Sequence, residues 1–128
     1  MKNGTYDCPF CNTEIKKRVI GENELMFAIY DIYPVSNGHV LVIPKRHCSS
    51  YFELSTEEQA AGWSLINEMQ QKLKKEFNPD GFNTGVNIGE AAGQTVWHAH
   101  FHLIPRYTGD MENPRGWVRH CVAGKGYY

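Results

Sequence analysis

The chain has no long hydrophobic run: none of its 128 residues belongs to a stretch near the roughly 20 apolar residues that a membrane span requires. Its opening residues, MKNGTYDCPFCNTEIKKR, lack the apolar core of a secretory signal. Charge of neither sign dominates. The formal net charge is -1, which leaves no global field to draw the chain to nucleic acid or to an anionic membrane. A small phosphate ligand stays open, because it needs only local donors. Cysteine is sparse, with Cys8, Cys11, Cys48 and Cys121. The chain reads as cytoplasmic, where thiols stay reduced and a disulfide framework is not expected. Internal repeats and low-complexity segments are also missing. What is left is an ordinary globular composition, 41% apolar and 21% charged, sufficient for one domain, residues 1–128, with a real core.

Local patterning supplies the elements. Residues 24–31, ELMFAIYD, and 39–44, HVLVIP, are β-prone runs separated by Pro34, Asn37 and Gly38, which predicts a hairpin with a long loop. Residues 54–81 predict the main helix. Ser55 with Glu58 fits a capping box, and Ile66, Met69, Leu73 and Phe77 form an apolar stripe widened by Ala61 and Leu65. Lys72, Lys74 and Lys75 suit a solvated helix end better than a phosphate patch. Asn78, Pro79 and Gly81 stop the helix. Residues 82–89 and 95–104 predict two further strands. Short turns among strands around one helix imply an α+β fold with an antiparallel sheet. Residues 106–128, rich in Gly and Pro, form a C-terminal extension with little periodicity.

Half of the six histidines fall in TVWHAHFHLIP, residues 95–105, as His98, His100 and His102. On a strand, alternate residues share a face. Trp97, Ala99, Phe101 and Leu103 would then face the core, and the histidines would look outward. Their spacing along a strand would be about 7 Å, too wide for one metal to take all three and suited to separate roles. A strand face that merely happens to be polar usually draws on Thr, Lys or Glu. Neutral imidazoles can attack phosphorus, donate a proton or hold a metal near pH 7.

GQTVWHAHFHLIPR resembles the signature of the histidine-triad (HIT) family, H-φ-H-φ-H-φ-φ with φ apolar, preceded by G-Q-[ST]. DIYPVSNGHVLVIPKRH is similar to that family's D-x-x-P-x-x-x-G-H-x-L-V-x-P-x-x-H segment, and GVNIG to its V-N-x-G turn. The resemblance implies a HIT-like sheet of about five strands with one long helix and a short N-terminal helix or arm, two sheets joining across a homodimer. It implies a nucleotide hydrolase or transferase that cleaves a phosphoanhydride or phosphoramidate at the α-phosphate of its substrate. By position, His100 is the nucleophile that forms a nucleotidyl-histidine intermediate, and His102 contacts phosphate and helps the leaving group. Gln94, Thr95, Gly93 and Asn87 match the phosphate side, and Asp31 the ribose hydroxyls. Phe10, Ile29 and Ile32 would wall the base. His39 reads as structural support, and Arg106 as a solvated surface residue.

Cys8 and Cys11 form C-x2-C, which alone fits a zinc half-site, a redox pair or chance. A thioredoxin-like motif needs a strand before it, and only seven residues precede Cys8. Some HIT branches complete a structural zinc site with the His of P-x-x-H and the first triad His, here His47 and His98. All four positions are filled, so the resemblance implies a Cys2His2 zinc that pins an arm over residues 1–23 to the triad strand. Cys48 and Cys121 then stay free thiols. Substrate choice stays open between dinucleoside polyphosphates and nucleoside phosphoramidates. A sugar-1-phosphate nucleotidylyltransferase fits less well, since those chains typically carry Gln where His102 stands. A non-catalytic, zinc-stabilised nucleotide-binding regulator is the alternative of a different class. A zinc-ribbon module for nucleic acid is disfavoured by the charge and by the lack of a second cysteine pair.

Overall fold

The computed structural model describes residues 7–128; the first six residues of the expected 1–23 arm lie outside the described residues. Five strands, β1 (Val19–Glu22), β2 (Met26–Tyr30), β3 (Val40–Pro44), β4 (Gly81–Gly85) and β5 (Phe101–Arg106), form one antiparallel sheet in the order β1-β2-β3-β5-β4. One long helix, α1 (Thr56–Phe77), packs on it. The fold class is the expected α+β. Among the described residues no helix is long and apolar enough to cross a membrane.

Helix α1 starts where its capping box predicts. Ser55 Oγ accepts from the Glu58 N–H at 3.0 Å, and the Glu58 carboxylate accepts from the Ser55 N–H at 2.9 Å. It ends at Asn78, whose left-handed backbone (φ 48°) closes the last turn. Its buried face, Leu65, Ile66, Met69 and Leu73, meets Met26, Ala28, Val40, Val42, Ala99, Phe101 and Leu103. Gly62 is required there, because a Cβ at this position would sit 2.4 Å from the Phe101 ring.

The sheet is covered on both faces. Along β2 and β3, Phe27, Ile29, Leu41 and Ile43 point away from the helix and pack with Ile15, Phe10 and Val19 of the N-terminal arm. The arm holds a 3-10 helix, Thr13–Arg18, capped by Asn12, and then runs into β1. Sequence patterning missed β1, whose VIGE is too short and too weakly alternating to stand out.

Two strands are shorter than expected. The strand predicted over residues 82–89 covers Gly81–Gly85, and the one predicted over 95–104 begins only at Phe101. Pro44 gives the reason for the second. Proline has no N–H to donate, and the β3–β5 ladder stops at Val42↔Phe101. Upstream of Phe101 a lone backbone bond, Ala99 N–H to Cys48 O at 2.7 Å, ties the segment to the chain beyond β3. Only His102 of the three histidines therefore lies on a strand. Trp97, expected on the core face, is half-buried and outside the core cluster. The histidine face does not look outward either. His98 is 1% exposed, and His100 and His102 are half-buried.

Candidate active site and metal cluster

Where the ladder ends, a cavity of about 460 Å³ opens between the arm, the β2–β3 loop and the loop before β5. His100 and His102 line it, with Asp31, Ile32, Asn87, Gly93, Gln94, Thr95 and Phe10. Leu41, Tyr33 and Arg18 line it as well, none of which sequence reasoning singled out. A larger hollow of about 640 Å³ lies beneath the arm and shares Phe10, but no histidine borders it. The reactive groups belong to the smaller one.

The triad rings are closer than strand spacing allows. The His100 and His102 ring centroids are 5.2 Å apart, and Phe10 stacks edge-on to His98 and His100 at 5.8 and 5.3 Å. Burial holds His39, His98, His100 and His102 neutral near pH 7. It pushes the pKa of His98 down to about 4, with help from His47 and His100, and that of His102 to about 4, with help from His100 and His39. Those of His100 and His39 are also lowered, again chiefly by burial.

A neutral imidazole carries one proton, and its neighbours decide which nitrogen holds it. His100 Nδ1 lies 2.9 Å from the carbonyl of His98, which can only accept. The proton therefore sits on Nδ1, and Nε2 keeps its lone pair. His98 Nε2 donates to the Pro44 carbonyl at 2.8 Å, so its Nδ1 is bare.

That bare nitrogen faces Cys8 Sγ at 3.4 Å, Cys11 Sγ at 3.5 Å and His47 Nδ1 at 3.2 Å; Cys11 Sγ is 3.2 Å from His47 Nδ1. All four ligand atoms lie within 4.8 Å of one another. The edges of a tetrahedron with Zn–S near 2.3 Å and Zn–N near 2.05 Å are about 3.5 Å for S···N and about 3.3 Å for N···N. The donors therefore fit zinc in chemistry and in spacing. Burial raises the Cys11 thiol to about 11, with Cys8 adding to the effect, so the Cys11 sulfur ionises only beside a cation.

A second cluster, Asp31, His39 and His102, also brings its ligand atoms within 4.8 Å. It is not arranged for a metal. The Val35 N–H donates to His39 Nδ1 at 3.2 Å, which leaves the proton of His39 on Nε2, the nitrogen a metal would need.

Several expected binding residues have other work. Gln94 is 3% exposed and its amide is fully engaged: Oε1 accepts from Gly89 N–H, and Nε2 donates to Ser49 O and Val96 O. It clasps its loop at the edge of the cavity it lines. Ile29 is fully buried in the second core cluster and does not line the cavity. Arg106 is not a loosely solvated residue, since it grips Asp110 through two nitrogens at 2.8 and 2.7 Å and reaches Asn83 at 2.6 Å. Gly93 is needed for its left-handed backbone (φ 93°), and open space surrounds the place of its missing Cβ. Thr95 and Asn87 are exposed at the rim, while Asp31 Oδ1 accepts from the Tyr33 N–H at 2.9 Å.

Comparison with known proteins adds the family. A model of the HIT domain matches residues 12–109. An adenosine 5'-monophosphoramidase of Schizosaccharomyces pombe is 37% identical over 119 residues, covering 91% of this chain and 86% of that protein. A bis(5'-adenosyl)-triphosphatase of Dictyostelium discoideum is 41% identical over 90 residues, 70% of this chain and 60% of that one. Among solved structures, a HIT family protein from Bacillus anthracis superposes with a TM-score of 0.75 at 42% identity, covering 82% of this chain and 77% of its own. A zinc-bound histidine triad family protein from Mycobacterium smegmatis gives 0.76 at 33% identity, with 86% and 82% covered.

Proposed function

The chain belongs to the HIT family, and from that premise we propose that it is a nucleotide hydrolase acting at the α-phosphate of a dinucleoside polyphosphate or a nucleoside phosphoramidate. One observation carries the reading. The His98 carbonyl holds the proton of His100 on Nδ1, so Nε2 keeps its lone pair in a cavity that also contains Asp31 and His102. A neutral imidazole so held is a nucleophile that needs no base.

In the first step His100 Nε2 forms a bond to the α-phosphorus, and the bond to the leaving group breaks as His102 gives that group a proton. In the second step water adds to phosphorus, its proton passes to His102, and the P–N bond to His100 breaks. Asp31 takes the ribose hydroxyls. The Gly93 backbone, Thr95 and Asn87 attend the phosphate, and Phe10, Ile32 and Leu41 wall the base. Cys8, Cys11, His47 and His98 hold a structural zinc, whose contribution is a cross-link between the arm and the segment bearing His98, outside the chemistry. We also propose a cytoplasmic homodimer, its sheets joined through an edge such as β4, which is paired on one side only.

The test is a panel of an adenosine dinucleotide and an adenosine phosphoramidate, offered to the native protein and to His100→Ala. Native turnover of one class and a loss of more than about 10³-fold in the variant are expected, with a trapped nucleotidyl adduct in the mass of the native protein. No native turnover of either class, or equal turnover by the two proteins, refutes the enzyme and favours a nucleotide-binding regulator.

A further inference from the structure

Resting on that hydrolase reading, we propose that His39 is a positioning residue that sets the tautomer of His102 and so makes it a proton donor. His39 immediately precedes β3, is 3% exposed, and lies outside the triad. The Val35 N–H reaches its Nδ1 at 3.2 Å. A backbone N–H can only donate, so Nδ1 must accept, and the single proton of neutral His39 is on Nε2. That nitrogen is 3.0 Å from His102 Nδ1 and 3.6 Å from the Asp31 carboxylate. The nearer atom takes the hydrogen bond. His102 Nδ1 therefore accepts, and its own proton is held on Nε2, the nitrogen left for a ligand in the cavity.

The result is a directed chain: Val35 N–H to His39 Nδ1, His39 Nε2–H to His102 Nδ1, and His102 Nε2–H toward the departing group. His100 is set the opposite way, with its proton on Nδ1 against the His98 carbonyl. Two neighbouring imidazoles, both neutral, are thus made different by their partners, one a nucleophile and the other an acid. Without His39 the proton of His102 would distribute between its two nitrogens, and a fraction of molecules would present a lone pair to a leaving group that needs a proton.

The first measurement requires neither a variant nor turnover. Long-range proton–nitrogen correlation spectra of the histidine-labelled native protein at neutral pH should show His102 protonated on Nε2 and bare on Nδ1, and His39 the same. A His102 proton on Nδ1 overturns the proposal, whatever becomes of the hydrolase reading. The second measurement uses two substrates. An adenosine phosphoramidate has an amine that must leave protonated, whereas a p-nitrophenyl ester of the nucleotide has a phenolate that need not. For His39→Ala, kcat/KM should fall about 10²-fold on the phosphoramidate and less than about threefold on the ester. His39→Gln, which keeps a donor N–H, should recover most of the loss. Equal losses on both substrates, or no recovery with Gln, refute the role. If His39→Ala does not fold, Val35→Pro on the exposed loop removes the anchoring N–H. It should slow only the phosphoramidate, by about fivefold, the worth of one hydrogen bond; an equal effect on both substrates counts against the proposal.

Discussion

Stripping the metal should loosen the arm and lower stability by a predictable amount. The arm lays Ile15, 8% exposed, and the half-buried Phe10 against Phe27, Ile29, Leu41 and Ile43. Besides that packing, β1 and the Arg18 bond to the Tyr30 carbonyl at 3.0 Å, what fastens it is the cluster of Cys8 and Cys11 with His47 and His98. Unclasping the arm would return one full and one partial apolar side chain to water, roughly 3 kcal/mol at about 2 kcal/mol per full side chain. Linkage gives a similar figure: free zinc at a thousand times its dissociation constant stabilises a fold by about 4 kcal/mol. At about 3–5 °C per kcal/mol for a chain of this size, the melting temperature should drop by about 9–20 °C. The assay is thermal unfolding of protein before and after dialysis against a chelator, with zinc counted by elemental analysis. About one zinc per chain is expected in the native protein and none in a Cys8→Ser, Cys11→Ser double variant. A metal-free sample that melts within about 2 °C of the loaded one, or a double variant that retains a full equivalent, refutes the reasoning.

Acid should destabilise the metal-free protein through its buried imidazoles. His102, held at about 4 against 6.5, keeps its full contribution above pH 6.5 and loses it as pH falls from 6.5 toward 4. By pH 5 the loss from His102 alone is about 2 kcal/mol, read by urea unfolding at pH 7.5 and 5; equal stability at both would contradict it. Glu58 and Asp110, held at about 2 chiefly by Arg46 and Arg106, stay ionised across that window and do not blur the comparison. Gly62→Ala sets two effects of opposite sign against each other. Alanine favours a helix by about 1 kcal/mol, but its Cβ would drive into the Phe101 ring, which Tyr51 and Trp63 hold edge-on at 5.5 and 5.0 Å. A net loss of about 1–2 kcal/mol is expected after overpacking of this kind, and a stabilised variant would show that the ring gives way. Ser55→Ala removes half of the capping box and should cost about 1 kcal/mol in chemical denaturation.

The elements governed by local chemistry were readable in the sequence. The capping box, the apolar stripe of α1 and the β2–β3 hairpin all sit where their residues place them. So were the clustering of Cys8, Cys11, His47 and His98 and the lining by Asp31, Asn87, Thr95 and the two inner histidines, which the resemblance brought forward. What failed depends on partners distant in the chain. Gln94 lines the cavity as expected, but the bond of its amide to Ser49, 45 residues away, was not legible in its own segment. Ile29 belongs to the core because the arm folds over the second face of the sheet, and nothing in a hairpin's own pattern announces that cover. His39 read as support because a single histidine at a strand start has many bland explanations; only its contacts with Val35 and His102 separate them.

The broken strand matters more than the predicted one would have. A continuous ladder through residues 95–104 would leave carbonyls and N–H groups committed to neighbouring strands and set the imidazoles about 7 Å apart. Pro44 ends that possibility by lacking the N–H the ladder needs, and its carbonyl goes instead to the ring of His98. His98 is thereby turned so that Nδ1 faces the sulfurs, while its own carbonyl, outside the ladder, accepts the ring proton of His100. The Cys8, Cys11, His47 and His98 cluster and the proposed nucleophile are therefore joined through one residue. The ring of His98 belongs to the first, and its backbone sets the tautomer of the second. Loosening the arm should consequently depress turnover along with stability, even though no metal ligand is asked to touch substrate.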